Sequence, residues 1–506
     1  MKNRRGFLKS MGLTGAALAA SPLATYVHGA PATEGIPAVM TGARKPKRVI
    51  FLVSDGMSQA VVSLAEAFSN RVRQRPTHFA QLLASGSVAH GLFETYSLNS
   101  NVTDSAAAAT AWGSGSRVFN GAINSLPDGT PLKPILPLLK EQVGISTGLV
   151  TTATVTHATP AGFAAVATNR GSESDIAPQY LGSVDVVLGG GSRFFAADRR
   201  EDGRDMYAEY EAAGYTVVKS RAELMALAAE TRQMLGIFWG SHVPYTIDHM
   251  NDDELLEKVP TLAEMTEAAL RALSANENGF VLQVEGARID HAAHANDAGA
   301  ILWDQLAFDD ALGVALEFAR QHEDTLVVVT SDHGNSNPGL NGMGSSYRDS
   351  NECFARLALA RASYGTIERQ LKAGGNPDVA KVQVVVKDLL GIELTEAEAG
   401  LVVDRLGDKE VFEINRQHQG FSGIFAQIIG NHTGIGWTGS THTDDYTLIA
   451  AQGPGQEAFG RLLRNTDFFS IMTNAYGVDY RNPTMSTEEA KAHMAMVPVI
   501  REAHWA

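Results

Sequence analysis

Several runs of apolar, β-branched residues stop abruptly at polar ones: Arg48 to Ser54, Ile145 to Thr152, Val184 to Leu188, Gly279 to Val284 and Thr325 to Ser331. Continuous apolar runs of this length predict strands buried on both faces, with the terminating polar residues at the carboxyl edge of a sheet. Between them, Thr261 to Ala275 and Asp297 to Arg320 carry helical periodicity. The alternation predicts an α/β, three-layer fold: a central, largely parallel β-sheet flanked by helices on both faces. Ligands of such folds sit beyond the carboxyl ends of the strands.

Residues 345–427 break this rhythm. They hold charged helical stretches such as Glu393 to Asp404 and no strand that ends in a carboxylate, so they are expected to form a helical insertion. Asp445 to Ala451 reads as a late strand, followed by a turn at Gly453-Pro454-Gly455.

Residues 1–32 differ in kind. Arg4-Arg5-Gly6-Phe7-Leu8-Lys9 precedes a short apolar stretch, Met11 to Ala20, that is too brief to span a bilayer. It resembles a twin-arginine signal peptide, which implies export of residues 33–506 by the twin-arginine translocation machinery to the periplasm or beyond. Ala30-Pro31-Ala32 has the small-x-small form of a cleavage site, with cuts after Ala30 or Ala32 both compatible.

The chain has 506 residues, 44% of them hydrophobic and 19% charged, an ordinary globular composition. No uninterrupted apolar run reaches the ~18 residues of a membrane span, so no stable membrane association is expected after processing. The formal net charge is −15, and it falls to −19 without residues 1–32, which carry four basic and no acidic side chains. Such a field repels phosphate backbones and excludes nucleic acid as a partner. A site for phosphate must then concentrate positive charge locally, and metal ions supply it. Cys353 is the only cysteine, so no intrachain disulfide forms. Export in the folded state makes one unnecessary.

Five separated segments place chemically capable side chains after strands or in loops. In Val53-Ser54-Asp55-Gly56-Met57 a carboxylate leaves a strand and glycine permits a tight turn; alone, Asp55 suits an N-cap as well as a metal ligand. In Thr103-Asp104-Ser105-Ala106 a polar loop enters an alanine-rich helix, which puts Ser105 at an anion-favouring N-terminus, although a capping serine fits the same pattern. Small alanines also let that helix approach its neighbours closely. His157 and Thr159, two apart, would share a face if their segment is extended, and Arg170 offers either a planar clamp for phosphate or an ordinary surface cation.

The fourth segment, Glu285-Gly286-Ala287-Arg288-Ile289-Asp290-His291-Ala292-Ala293-His294, concentrates carboxylates and histidines after a buried strand. A helical turn would bring Asp290 and His294 onto one face, as a metal pair requires. The last segments are Ser331-Asp332-His333-Gly334 and Thr441-His442-Thr443-Asp444-Asp445. His442 has a local rival in His432, but its position beside the final strand favours it.

The ordered set Asp55, Asp104-Ser105-Ala106, Thr159-Pro160, Arg170, Glu285, Asp290, His294, Asp332-His333 and His442 resembles the alkaline phosphatase family from residue 48 to about 455. The resemblance implies an enzyme that hydrolyses small-molecule phosphate monoesters through a phosphoserine at Ser105, with Arg170 holding the phosphate. It implies one zinc on Asp290, His294 and His442, and a second on Asp55, Asp332, His333 and Ser105. The third ion, usually magnesium, would sit on Asp55, Thr159 and Glu285. His157 and His291 stand where the enterobacterial form has aspartate and lysine, which puts His157 beside the third site and leaves that ion's identity open. A homodimer is frequent in the family.

Two rival readings come from the wider superfamily. A sulfatase needs a Cys/Ser-x-Pro-x-Arg setting that Asn351-Glu352-Cys353-Phe354 lacks, and a phosphodiesterase of this kind commonly uses threonine without the arginine clamp. A non-catalytic metal-binding scaffold would have little use for Ser105 and Arg170.

Overall fold

The computed structural model describes residues 45–498 apart from 408, 410–414 and 419. The expected signal peptide and its cleavage site lie outside the described residues.

Fourteen strands occur among the described residues: β1 Arg48–Val53, β2 Ala89–Phe93, β3 Ser146–Thr154, β4 Val186–Gly190, β5 Thr216–Val218, β6 Met234–Ile237, β7 Phe280–Glu285, β8 Thr325–Thr330, β9 Gly334–Asn335, β10 Gly339–Leu340, β11 Ile435–Gly436, β12 His442–Thr443, β13 Thr447–Gln452 and β14 Leu462–Leu463. Ten of them form one sheet in the order β14-β2-β13-β8-β1-β7-β3-β4-β6-β5. The β8-β1-β7-β3-β4-β6-β5 run is parallel throughout, and β13 alone runs antiparallel to both its neighbours. The expected central, largely parallel sheet with helices on both faces is what the chain forms.

The sheet separates two apolar cores by the period-2 rule of strands. In β1, Ile50 and Leu52 join one core while Val49, Phe51 and Val53 join the other. Helix Leu262–Leu273 packs on the first; it opens with a capping box in which Thr261 accepts the Glu264 N–H and Glu264 returns the bond. Helix Ala298–Gln321 packs on the same face, started by Asp297 accepting from Gly299 and Ala300.

Between β10 and β11, which pair antiparallel, the regular structure is helical, including Tyr364–Lys372, Val379–Leu390, Glu396–Leu406 and Gly420–Thr433. The last of these helices runs past residue 427, where the insertion was expected to end. Its apolar residues, Phe425 and Ile429 among them, merge with the first core rather than making a separate one. Among the described residues no helix is long and apolar enough to cross a membrane.

Candidate active site

The chemistry-bearing residues converge at the carboxyl edge of the parallel strands. Asp55 follows β1, Glu285 ends β7 and Asp332-His333 follow β8, three adjacent strands in register. Gly56 makes the turn after β1 with φ +68, and a methyl group there would lie 2.6 Å from Asp290 Oδ1, so glycine is required twice over.

Ser105 is the first residue of helix Ser105–Ser114, every residue of which is buried. Asp104 caps it by accepting the Ala107 N–H at 3.0 Å. The small residues let this helix meet helix Ala158–Ala164 backbone to backbone: a methyl group on Gly113 would fall 1.9 Å from the Gly162 carbonyl oxygen. The cap is therefore Asp104 and not Ser105, whose hydroxyl lies 3.2 Å from His333 Nε2.

Three groups of potential ligands share this floor. Asp55, Asp332 and His333 form one, with His333 Nε2 3.1 Å from Asp332 Oδ2 and 3.7 Å from Asp55 Oδ1. Asp290, His333 and His442 form another. His294 joins it, its Nε2 lying 3.4 Å from Asp290 Oδ2 and 3.0 Å from His442 Nε2. The third holds Asp55, His157 and Glu285, with the Thr159 hydroxyl 3.5 Å from Asp55 Oδ2. Asp290 and His294 do lie on one helical turn, in helix Arg288–His294. His442 belongs to the cluster, whereas His432 is 3.0 Å from Glu398 in the helical segment. The segment containing His157 and Thr159 is not extended: His157 is the N-cap and Thr159 lies in the first turn of helix Ala158–Ala164. The two still reach the same site because the helix start faces Asp55.

Arg170 uses both ends of its guanidinium. Nη1 donates to Asp104 Oδ2 at 3.0 Å and Nη2 lies 2.9 Å from His157 Nε2. Two partners went unread in the sequence: Thr151 of β3 donates to Glu285 at 2.5 Å, and Asn335 donates to Asp290 Oδ1 at 2.6 Å. His242 also joins the rim, its ring centre 4.5 Å from that of His291.

The electrostatics fit cations. Asp55 is pushed well above the usual carboxylate range by burial and then by Asp332, Asp290 and Glu285; burial lifts Glu285 to about 7. Burial raises Asp290 too, but His294 and His442 outweigh it and hold that carboxyl well down. His442 is driven to about 3 by burial and by His333, whose ring centre lies 3.6 Å away. Buried Asp55 Oδ1 and Glu285 Oε1 receive no hydrogen bond. Crowded carboxylates that keep unpartnered buried oxygens, beside imidazole nitrogens, are a donor set for divalent metal ions.

Fold and site together define an α/β protein with a buried set of candidate metal ligands at the carboxyl edge of its sheet. The family model described as alkaline phosphatase matches residues 46–478. Alkaline phosphatase 3 of Bacillus subtilis is 32% identical over 435 residues, which cover 83% of this chain and 87% of that one. The crystal structure of Thermus thermophilus alkaline phosphatase superposes with a TM-score of 0.84 at 38% identity, over 92% of this chain and 99% of that one. A variant of the alkaline phosphatase from the Antarctic bacterium TAB5 follows with a TM-score of 0.61 at 25% identity, over 86% of this chain and 99% of that one. The chain belongs to the alkaline phosphatase family, and it is accordingly a metal-dependent phosphoric monoester hydrolase.

Proposed function

We propose that the enzyme cleaves phosphate monoesters through a covalent phosphoserine at Ser105, on a centre of two zinc ions and one magnesium ion. The observation that carries this reading is the Ser105 hydroxyl at a helix N-terminus, 3.2 Å from His333 Nε2, facing a buried floor of carboxylates and imidazoles. Asp290, His294 and His442 suit one zinc, and Asp55, Asp332 and His333 with the Ser105 oxygen suit the other. Asp55, Thr159 and Glu285, with His157 beside them, suit the third ion. A TAB5 variant with a histidine replaced by glutamate is solved with magnesium in the site termed M3, which supports magnesium at the carboxylate-rich third site.

These ions, when bound, supply Lewis acidity that favours the serine alkoxide, neutralises the phosphoryl oxygens and stabilises the departing oxygen. The chain's own residues do the positioning. Ser105 Oγ attacks phosphorus, the ester P–O bond breaks and the alcohol leaves with a proton; water then cleaves the Oγ–P bond to release phosphate and restore the hydroxyl. Arg170, held by Asp104 and His157, presents its planar fork to two nonbridging oxygens.

The enzyme is exported through the twin-arginine machinery to the periplasm or the medium. Arg4-Arg5, the short apolar stretch after it and the single cysteine support that route. The frequent homodimer of the family belongs to the same reading, and the mass in solution tests it. Side-by-side assay with p-nitrophenyl phosphate, its bis ester and the sulfate tests the activity: turnover of the monoester should dominate. Preference for the bis ester or the sulfate would overturn it.

A further inference from the structure

A cavity of about 890 Å³ opens beside the metal-ligand cluster, between the loop after β6, helix Arg288–His294 and the helical segment. His294 lines its inner end next to Arg288. The Arg288 guanidinium is buried, donates to His291 Nδ1 at 2.7 Å and lies 3.6 Å over the ring of Tyr245. Trp239, 38% exposed after β6, and Phe421 of helix Gly420–Thr433 add flat apolar surface to the lining. The volume falls within the ~300–1,000 Å³ of small-molecule sites.

The wall's acidic groups are engaged within the protein. Asp248 accepts from the Ser363 N–H and hydroxyl at 2.8 and 2.7 Å, and Asp297 accepts from the N–H groups of Gly299, Ala300 and Tyr364 at 3.1, 3.0 and 2.6 Å. A hydroxyl-rich group entering here gives up water for carboxylates that already have donors. A flat ring instead covers the apolar faces of Trp239 and Phe421 and the guanidinium face of Arg288.

We propose that this cavity receives the alcohol part of the substrate and selects phosphate monoesters whose alcohol carries a flat aromatic or heteroaromatic ring, nucleotides among them. The inference rests on the proposed function: Asp290, His294 and His442 would hold the zinc that does not take the Ser105 oxygen, and that zinc would supply the charge at the departing oxygen. His294 also lines the cavity, so the group attached to that oxygen would meet the cavity at this side chain. Ser105 and Arg170 do not line it, so an occupied cavity leaves the nucleophile and the phosphate clamp clear. Trp239 and Phe421 are specificity determinants, and the helical segment supplies one wall of the subsite.

Adenosine 5′-monophosphate and ribose 5-phosphate share the same primary alcohol leaving group and differ by the base, so their comparison isolates the ring. For the metal-loaded full-length enzyme, kcat/KM for the nucleotide should exceed that for the sugar phosphate by about tenfold, the scale of one base stacked on an aromatic side chain. Trp239→Ala and Phe421→Ala should each erase most of this advantage while leaving the sugar phosphate within about twofold of the parent value. Equal constants for the two esters in the parent enzyme would overturn the subsite. Calorimetric binding of adenosine provides a readout without turnover. If neither ester is hydrolysed, the proposed chemistry fails on its own account, and adenosine binding that Trp239→Ala abolishes still supports the subsite. Absence of adenosine binding to the parent protein contradicts it.

Discussion

Asp104 holds Arg170 through Oδ2, 3.0 Å from Nη1, while its Oδ1 accepts the Ala107 N–H that starts the Ser105 helix. One carboxylate thereby fixes the Ser105 helix and the Arg170 guanidinium relative to each other. The Gly121 N–H, 2.9 Å from the same Oδ2, completes its shell. Asp104→Ala should cost about 1 kcal/mol of stability through the lost cap. It should also lower kcat/KM by about a hundredfold through the loosened clamp. Asp104→Asn keeps a capping oxygen and should retain the stability while losing much of the activity. Thermal melts beside steady-state kinetics separate the two effects; full activity in Asp104→Asn would show that the residue only caps.

Arg170→Ala should weaken inhibition by inorganic phosphate and lower turnover together, because a clamp on nonbridging oxygens acts on bound phosphate and on the transition state. An unchanged inhibition constant would remove the clamp role from Arg170.

His442→Ala should release one zinc equivalent, measured by elemental analysis of the purified protein. His432→Ala should keep the full complement, since that ring meets Glu398, and part-exposed pairs of this kind contribute only about 0–1 kcal/mol. Zinc loss in the second variant would mean that the wrong late histidine is assigned.

The third ion should be looser and more pH-sensitive than the zinc on Asp290, His294 and His442. Burial holds Glu285 near 7, so protons compete with a cation at that carboxylate below pH 7. Occupancy there should fall as pH drops through 7, whereas Asp290, held well down, and His442, near 3, stay deprotonated over the same range. His157→Asp adds fixed negative charge and should tighten magnesium more than it alters zinc content. Magnesium titrations of parent and variant at pH 6 and pH 8 check this; superimposable curves would show that His157 does not tune the site.

For export, Arg4→Lys combined with Arg5→Lys should leave folded, active precursor in the cytoplasm. Normal secretion of the double variant would point to another route.

Strands β1, β7 and β8 were legible because each is a buried apolar run with a carboxylate at its end or two residues beyond it. Strands β2, β5, β6 and β14 were not. The first has exposed positions, β5 and β14 are only three and two residues long, and Met234–Ile237 is interrupted by Gly236. The cluster's floor was readable residue by residue, but its outer partners depend on contacts distant in sequence. Asn335 reaches Asp290 because the two-residue β9 pairs with β12 and sets Asn335 opposite His442. Thr151 meets Glu285 because β3 and β7 are neighbours in register. Neither pairing leaves a periodic signal in the chain. The extended reading of His157 and Thr159 failed for a local reason: Thr159-Pro160 sits in the first turn of a helix, where proline is well tolerated.

The phosphoserine assignment is decided by trapping. Metal-loaded enzyme mixed with excess substrate, quenched in acid within the first turnover and digested, should yield one phosphorylated peptide carrying the modification on Ser105, and Ser105→Ala should yield none while keeping its metal content. Phosphate on any other residue, or full turnover by Ser105→Ala, would contradict the mechanism.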